Sequence, residues 1–240
     1  MRSVVLARRL PGMLCSTALF YSVQGSAQVP SVAPGGVVNG ASFAPGSVAP
    51  GSIISILGNN LATATSEAQG APLPTSLGTT SVRINGGLAP LYYVSPKQIN
   101  AQLPYETALG SASLVVMVGS FSSAPALFSV SIAGPGIFLA NGIRAVVQNQ
   151  DGSANTPTEP AESGSVIVAY LTGQGAVDNP VPTGAIAPAS PLSRAVASSS
   201  ATIGGQKAGI QFLGLTPSLV GVLQVNIQVP NLPVGDYPLW

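Results

Sequence analysis

The 240-residue chain has no histidine and one cysteine, Cys15. Without histidine a Ser/His/Asp triad cannot be built, and a zinc site loses its usual nitrogen ligand. Cys15 sits in an N-terminal stretch that reads as a leader, so the rest of the chain has no thiol nucleophile and no disulfide. Charged residues make up 6% of the chain, against roughly 25% in ordinary globular proteins. Three of the eight basic residues are Arg2, Arg8 and Arg9. Once the leader is removed, five basic and seven acidic residues remain, so the electrostatic footprint of a nucleic-acid binder is missing. No apolar run beyond the leader is long enough to span a membrane. No sustained helical period occurs, and no helix is predicted.

What is abundant points to strands. The chain holds 28 glycines and 22 prolines, and 46% of its residues are apolar. Disorder calls for low hydrophobicity and high charge, which this composition does not have. Short apolar strands joined by Gly/Pro turns fit it instead.

Residues 1–27 read as a secretory signal peptide. Arg2, Arg8 and Arg9 form a basic start, and Leu10 to Val23 a mostly apolar middle that Pro11-Gly12 interrupts. Gly25-Ser-Ala27 supplies small residues before a cut at Gln28. Leu14 precedes Cys15 where a lipid-attachment motif needs a small residue, so Cys15 is read as part of a discarded leader. The expected location is secreted or in the cell envelope of a bacterium.

The chain repeats itself. Gly51-Ser-Ile-Ile-Ser-Ile-Leu-Gly58 is echoed by Gly164-Ser-Val-Ile-Val-Ala-Tyr-Leu171. Ser81-Val-Arg-Ile-Asn-Gly86 is echoed by Ser200-Ala-Thr-Ile-Gly-Gly205, and Ile99-Asn-Ala-Gln-Leu-Pro104 by Val225-Asn-Ile-Gln-Val-Pro230, in the same order. The expectation is an all-β chain of two tandem immunoglobulin-like β-sandwiches, residues 28–134 and 135–240. Strands are predicted at Val37–Phe43, Ile53–Leu57, Thr79–Asn85, Ala89–Val94, Ile99–Leu103, Leu114–Val118 and Ala126–Ile132. Asn85-Gly86 is the strongest hairpin turn signal. Alternation places Leu91 and Tyr93 inward and Tyr92 outward. In the second half strands are predicted at Ala145–Gln148, Val166–Leu171, Ala201–Ile203, Ala208–Leu213 and Leu223–Val229. After Gly235, the counterpart of Gly110, only Asp236 to Trp240 follow, so the second sandwich is expected to lack its last hairpin.

Candidate chemistry is sparse. Asp151, Ser153 and Asn155 alternate oxygen ligands like the start of a calcium loop, and Glu162 falls at the twelfth position. Thr156 stands where such a loop needs glycine, so a hairpin turn at Asp151-Gly152 is the preferred reading; no cofactor is expected, with calcium the one candidate. Glu159 and Glu162 have the chemistry of an acid/base pair, but they sit in a Pro-rich loop and read as a solvated linker. Gly173-Gln-Gly175 lacks the third glycine and the helix of a phosphate loop and reads as a strand-end turn. Lys97 and Lys207 are in no Ser-x-x-Lys motif, and Arg83 and Arg144 read as surface residues. Tyr92 and Tyr105 are the candidate ligand-binding residues, as a stacking platform for sugars; Tyr93 aligns with Phe212 and reads as core. Asn100 and Gln102 recur as Asn226 and Gln228, which suggests a role in the fold.

Three stretches carry a family resemblance: Val38-Asn-Gly-Ala-Ser-Phe-Ala-Pro-Gly, Ala89-Pro-Leu-Tyr-Tyr-Val-Ser-Pro-Lys-Gln-Ile-Asn-Ala-Gln-Leu-Pro-Tyr-Glu and Tyr170-Leu-Thr-Gly-Gln-Gly-Ala-Val. With Pro135-Gly-Ile-Phe and Asn149-Gln-Asp-Gly-Ser-Ala-Asn, they resemble an uncharacterised C-terminal domain of exported proteins from soil Acidobacteria such as Solibacter. Each half is also similar to the IPT/TIG type of immunoglobulin-like domain, through openings such as Gly51-Ser-Ile-Ile-Ser-Ile-Leu-Gly-Asn-Asn-Leu61. The resemblance implies export and a β-sandwich, and brings no catalytic residues. Such domains usually follow larger modules, whereas little precedes this one. The functional expectation is a secreted, non-enzymatic interaction, adhesion or spacer module. Its partner would be an extracellular protein or polysaccharide; the alternative is a carbohydrate-binding module accessory to polysaccharide degradation.

Overall fold

The computed structural model describes residues 29–240; the expected leader, its cleavage point and Cys15 lie outside them. Every regular element among the described residues is a strand. In the first half these are β1 Ser31–Asn39, β2 Ile53–Asn59, β3 Ser66–Glu67, β4 Ser76–Leu77, β5 Thr80–Ile84, β6 Gly87–Leu88, β7 Leu91–Val94, β8 Gln98–Gln102, β9 Gly110–Val118, β10 Phe121–Ser122 and β11 Ala126–Val130. The second half adds β12 Gly136–Ile137, β13 Leu139–Ala140, β14 Arg144–Ala145, β15 Val147–Gln148, β16 Val166–Thr172, β17 Ala201–Ile203, β18 Gln206–Ala208, β19 Ile210–Leu215 and β20 Leu223–Gln228.

Two antiparallel sheets build the first half. One runs β1-β2-β8-β7-β3; the other runs β10-β9-β5-β4, with β11 beside β9 and β6 beside β5. Their inner faces follow from alternation along each strand. Ile54 and Ile56 of β2 lie against Ala101 and Ile99 of β8, while Val82 and Ile84 of β5 pair with Val116 and Leu114 of β9. All eight are buried and share one apolar core with Leu61, Leu91 and Leu103, as facing sheets of a sandwich do. Asn85 and Gly86 take φ of 47° and 88° and join Ile84 to its partner Gly87, the geometry of a two-residue hairpin turn.

The second half repeats this register residue for residue in its central strands. Ile53 pairs with Gln102, and Val166 pairs with Gln228. Leu91 pairs with Ala101 and Tyr93 with Asn100; Ile210 pairs with Ile227 and Phe212 with Asn226. The Asn85-Gly86 hairpin recurs at Gly204-Gly205, with φ of 59° and 77°, between Ile203 and Gln206. Even the bridge between Ile84 and Leu114 has its counterpart between Ile203 and Leu239. A second, separate core gathers Ile167, Ala169, Leu215, Leu223 and Ile227.

Two expectations need correction. The first strand begins six residues earlier than Val37 and ends at Asn39. Gly35, at φ 65°, lets it bulge between Val32 and Val37, and Asn39 ends it by accepting the N–H groups of Ala41 and Ser42. In β7 it is Leu91 and Val94 that are buried, with Tyr93 only half-buried. A bulge between Leu91 and Tyr93 inserts Tyr92 as an extra residue and breaks the alternation. The same bulge recurs between Ile210 and Phe212.

Candidate functional site at the joint between the two halves

The polar side chains that the sequence spreads over both halves meet at the joint. The connecting segment is pinned first. Ser131 N–H donates to Val48 O at 2.9 Å and Gly134 N–H to Gly173 O at 2.9 Å. Asn39, 5% exposed, donates through Nδ2 to Gly134 O at 2.9 Å. Its Oδ1 is already occupied by the turn after β1, so this amide is spent on both sides.

Thr172 and Gln102 hold the halves directly, and both are fully buried. Thr172 Oγ1 accepts the Ile53 N–H at 2.9 Å and donates to Gly221 O at 2.7 Å. Gln102 Nε2 donates to Gly51 O at 3.3 Å, and its Oε1 accepts the Gly184 N–H at 2.6 Å. Gly184 O in turn accepts the Leu73 N–H at 2.9 Å. Thr183 Oγ1 accepts from Tyr105 N–H at 3.0 Å and donates to Glu106 Oε2 at 2.8 Å. The contact is tight enough to require glycine. A Cβ on Gly173 would stand 2.1 Å from Gly134 O, and one on Gly175 would stand 1.9 Å from Ile132 O. The Gly173-Gln-Gly175 turn therefore packs against the connecting segment.

Tyr92 and Tyr105 both lie in this joint. Tyr92 lies outside the first core, as alternation places it, but it is half-buried there, and its hydroxyl donates to Val220 O of the other half. The ring of Tyr105 covers Gly51, where a Cβ would come within 2.0 Å of it. Burial pushes both phenols up to about 12. Neither ring forms an open platform. Beside Tyr105, Gln174 is 5% exposed, and neither its amide nor the Tyr105 hydroxyl has a hydrogen-bond partner among the described residues.

Asp151, Ser153 and Asn155 fall in one hydrogen-bonded turn. Asp151 Oδ1 accepts from Ser153 N at 3.0 Å and Ser153 Oγ at 2.8 Å, which holds its carboxyl below the usual range. Asn155 Nδ2 donates to Asn149 Oδ1 at 2.9 Å. No cluster of three or more His, Cys, Asp or Glu side chains forms among the described residues. Glu159 is tied through its backbone to Thr156, on an exposed turn. Arg144 forms a bidentate pair with Asp236 at 2.9 and 3.1 Å, and Arg83 donates to Gly86 O.

Sequence reasoning did not find Asn39, Thr172, Thr183 or Gly184 as partners. A usable signal existed in the stretches that carry the family resemblance. Val38-Asn39-Gly40, Ala101-Gln102-Leu103-Pro104-Tyr105 and Thr172-Gly-Gln-Gly175 all converge on this joint.

The chain thus contains an immunoglobulin-like β-sandwich whose polar residues are spent on a second, similarly paired sheet. Residues 37–130, from the buried part of β1 to the end of β11, match the IPT/TIG domain family. None of the curated proteins matches the chain. Among solved structures, the chain is similar to a Bacteroides ovatus mixed-linkage glucan utilization locus SGBP-B in complex with a mixed-linkage heptasaccharide. The identity is 16% and the TM-score 0.33, over 80% of this chain and 36% of that one. It is also similar to a plexin A4 full extracellular region, at 12% identity and TM-score 0.32, over 91% of this chain and 17% of that one. The chain spans about a third or less of the length of these structures. No helix among the described residues is long and apolar enough to cross a membrane.

Proposed function

We propose that this protein is a non-catalytic extracellular module that acts as a spacer of fixed geometry between interaction partners. The observation that carries this reading is the joint. Gln102, Thr172 and Thr183 each bond across it, Asn39 pins the connecting segment beside it, and glycines let backbone meet backbone there. Two modules tied this way present their outer loops at a set separation, which is what a spacer needs. The joint also favours this reading over a carbohydrate-binding one, because the Tyr92 hydroxyl bonds to Val220 O and the Tyr105 ring covers Gly51.

The test uses the scarcity of cysteine. In a Cys15→Ser background, spin labels at Ser111→Cys and Ser198→Cys, both exposed positions, report the distance between the halves. A single narrow distribution is expected, and a broad one rules out a fixed spacer. In parallel, the protein is presented to insoluble polysaccharides and a glycan panel; saturable binding would return the carbohydrate reading to first place.

A further inference from the structure

The socket by which the first half holds the second exists a second time on the second half, where none of the described residues fills it. In the first half it consists of Gly51, Pro90, Gln102 and Tyr105, against which Gly184 and Thr183 seat. The repeat register maps these residues onto Gly164, Gly209, Gln228 and Asn231. Together with Ser163 and Lys207, these line a concavity of about 350 Å³.

The correspondence extends to the pose of the key side chain. Gln228 Nε2 donates to Gly164 O at 3.4 Å, as Gln102 Nε2 does to Gly51 O at 3.3 Å. The backbone matches too: Gly164 N–H donates to Val229 O at 2.9 Å and Gly51 N–H to Leu103 O at 2.8 Å. Gln102 is fully buried under the Gly184 turn, whereas Gln228 is exposed. Its Oε1, the atom equivalent to the one that accepts the Gly184 N–H, has no protein donor among the described residues. One joint bond is replaced: the Val166 N–H, counterpart of Ile53, is taken by Gln150 Oε1 at 2.9 Å.

We propose that this surface is an acceptor socket for a glycine turn of another polypeptide, gripped by Gln228 as Gln102 grips Gly184. The lining sets the partner's chemistry. Lys207 stands where the first half has Leu88, and it makes no ion pair among the described residues. Asn231 replaces Tyr105, and its N–H is the counterpart of the one that binds Thr183. A turn with a carboxylate just before its glycine would meet all three groups. The glycine N–H would donate to Gln228 Oε1, and the carboxylate would face the Asn231 N–H and the Lys207 ammonium. The partner is thus a protein loop with an Asp-Gly or Glu-Gly turn.

The test titrates the 15N-labelled full chain with a cyclic hexapeptide bearing an Asp-Gly turn and with the same ring bearing Lys-Gly. The Asp-Gly ring is expected to shift Gly164, Gly209, Asn231 and the Gln228 side-chain amide saturably, with at least tenfold weaker binding to Lys207→Glu and none to Gln228→Ala. Absent or non-saturating shifts, shifts that persist in Gln228→Ala, or equal binding of the Lys-Gly ring would overturn the proposal. The spacer reading is tested independently by the spin-label distance, so either can fail alone.

Discussion

Thr172 satisfies two buried backbone groups with one hydroxyl, the Ile53 N–H and the Gly221 carbonyl. Thr172→Val keeps the shape and removes the oxygen, which strands both groups where no water reaches them. A buried unsatisfied group costs about 1–3 kcal/mol, so the loss is expected to be about 2–3 kcal/mol. Thermal unfolding followed by circular dichroism should show Tm falling by roughly 5–10 °C, with Thr172→Ser restoring most of it. An unchanged Tm would mean that the hydroxyl does not carry the joint. The joint tyrosines make a pH prediction. In the unfolded chain both phenols titrate at the ordinary 10.0, and in the folded chain at about 12. Between these values the folded state keeps protons that the unfolded state has released, so stability falls with rising pH. The stabilisation is complete below pH 10.0 and is lost as pH climbs through about 12. Urea midpoints at about pH 9 and about pH 11 should differ clearly in the natural protein. The difference should shrink in the Tyr92→Phe, Tyr105→Phe double variant.

At the scale of elements, hairpins and central strands are local, and so they can be read from sequence. Asn85-Gly86 names its own turn because both residues tolerate positive φ. Gly86 sits at φ 88° with open space around it, so Gly86→Ala should cost about 1 kcal/mol through backbone strain alone. Chemical denaturation measures that, and a neutral result would deny the turn its strain. The Asp151 turn is equally local: Ser153 supplies both bonds to Asp151 Oδ1. Added calcium is therefore expected to leave Tm unchanged, and a concentration-dependent rise would show that the turn opens to take the ion. Legibility ends where partners are remote. Alternation misplaced Tyr93 because the Tyr92 bulge is defined by the facing strand, which no property of Leu91–Val94 announces. Thr172 and Ile53 lie 119 residues apart, and Gln102 and Gly184 lie 82 apart. The recurrence of Gln102 as Gln228 signalled a shared role, the bond to the glycine carbonyl, but one copy also grips the other half. A repeat reveals what its copies share, and a joint between copies is where they must differ.

For the whole molecule the question is whether the two cores behave as one. Each has its own apolar cluster, and two independent sandwiches would unfold separately. The joint opposes that, because separation would break the Gln102, Thr172 and Tyr105 bonds together. At about 1 kcal/mol each, these bonds add about 3 kcal/mol, a large fraction of the stability of a small domain. Calorimetry of the natural protein should therefore give one transition whose calorimetric and van't Hoff enthalpies agree. Gly175→Val is the decisive variant, since its Cβ would lie 1.9 Å from Ile132 O at φ 76°. Neither Gly175 nor Ile132 belongs to the fully buried interior of a core, so the substitution should loosen the joint and leave each core intact. Its calorimetric trace should split into two peaks, the upper one near the natural Tm, because the first core gathers twenty buried apolar residues against twelve in the second and needs the joint least. Two peaks in the natural protein would show instead that the halves are coupled too weakly to hold a fixed geometry, and the spacer reading would fall with the joint.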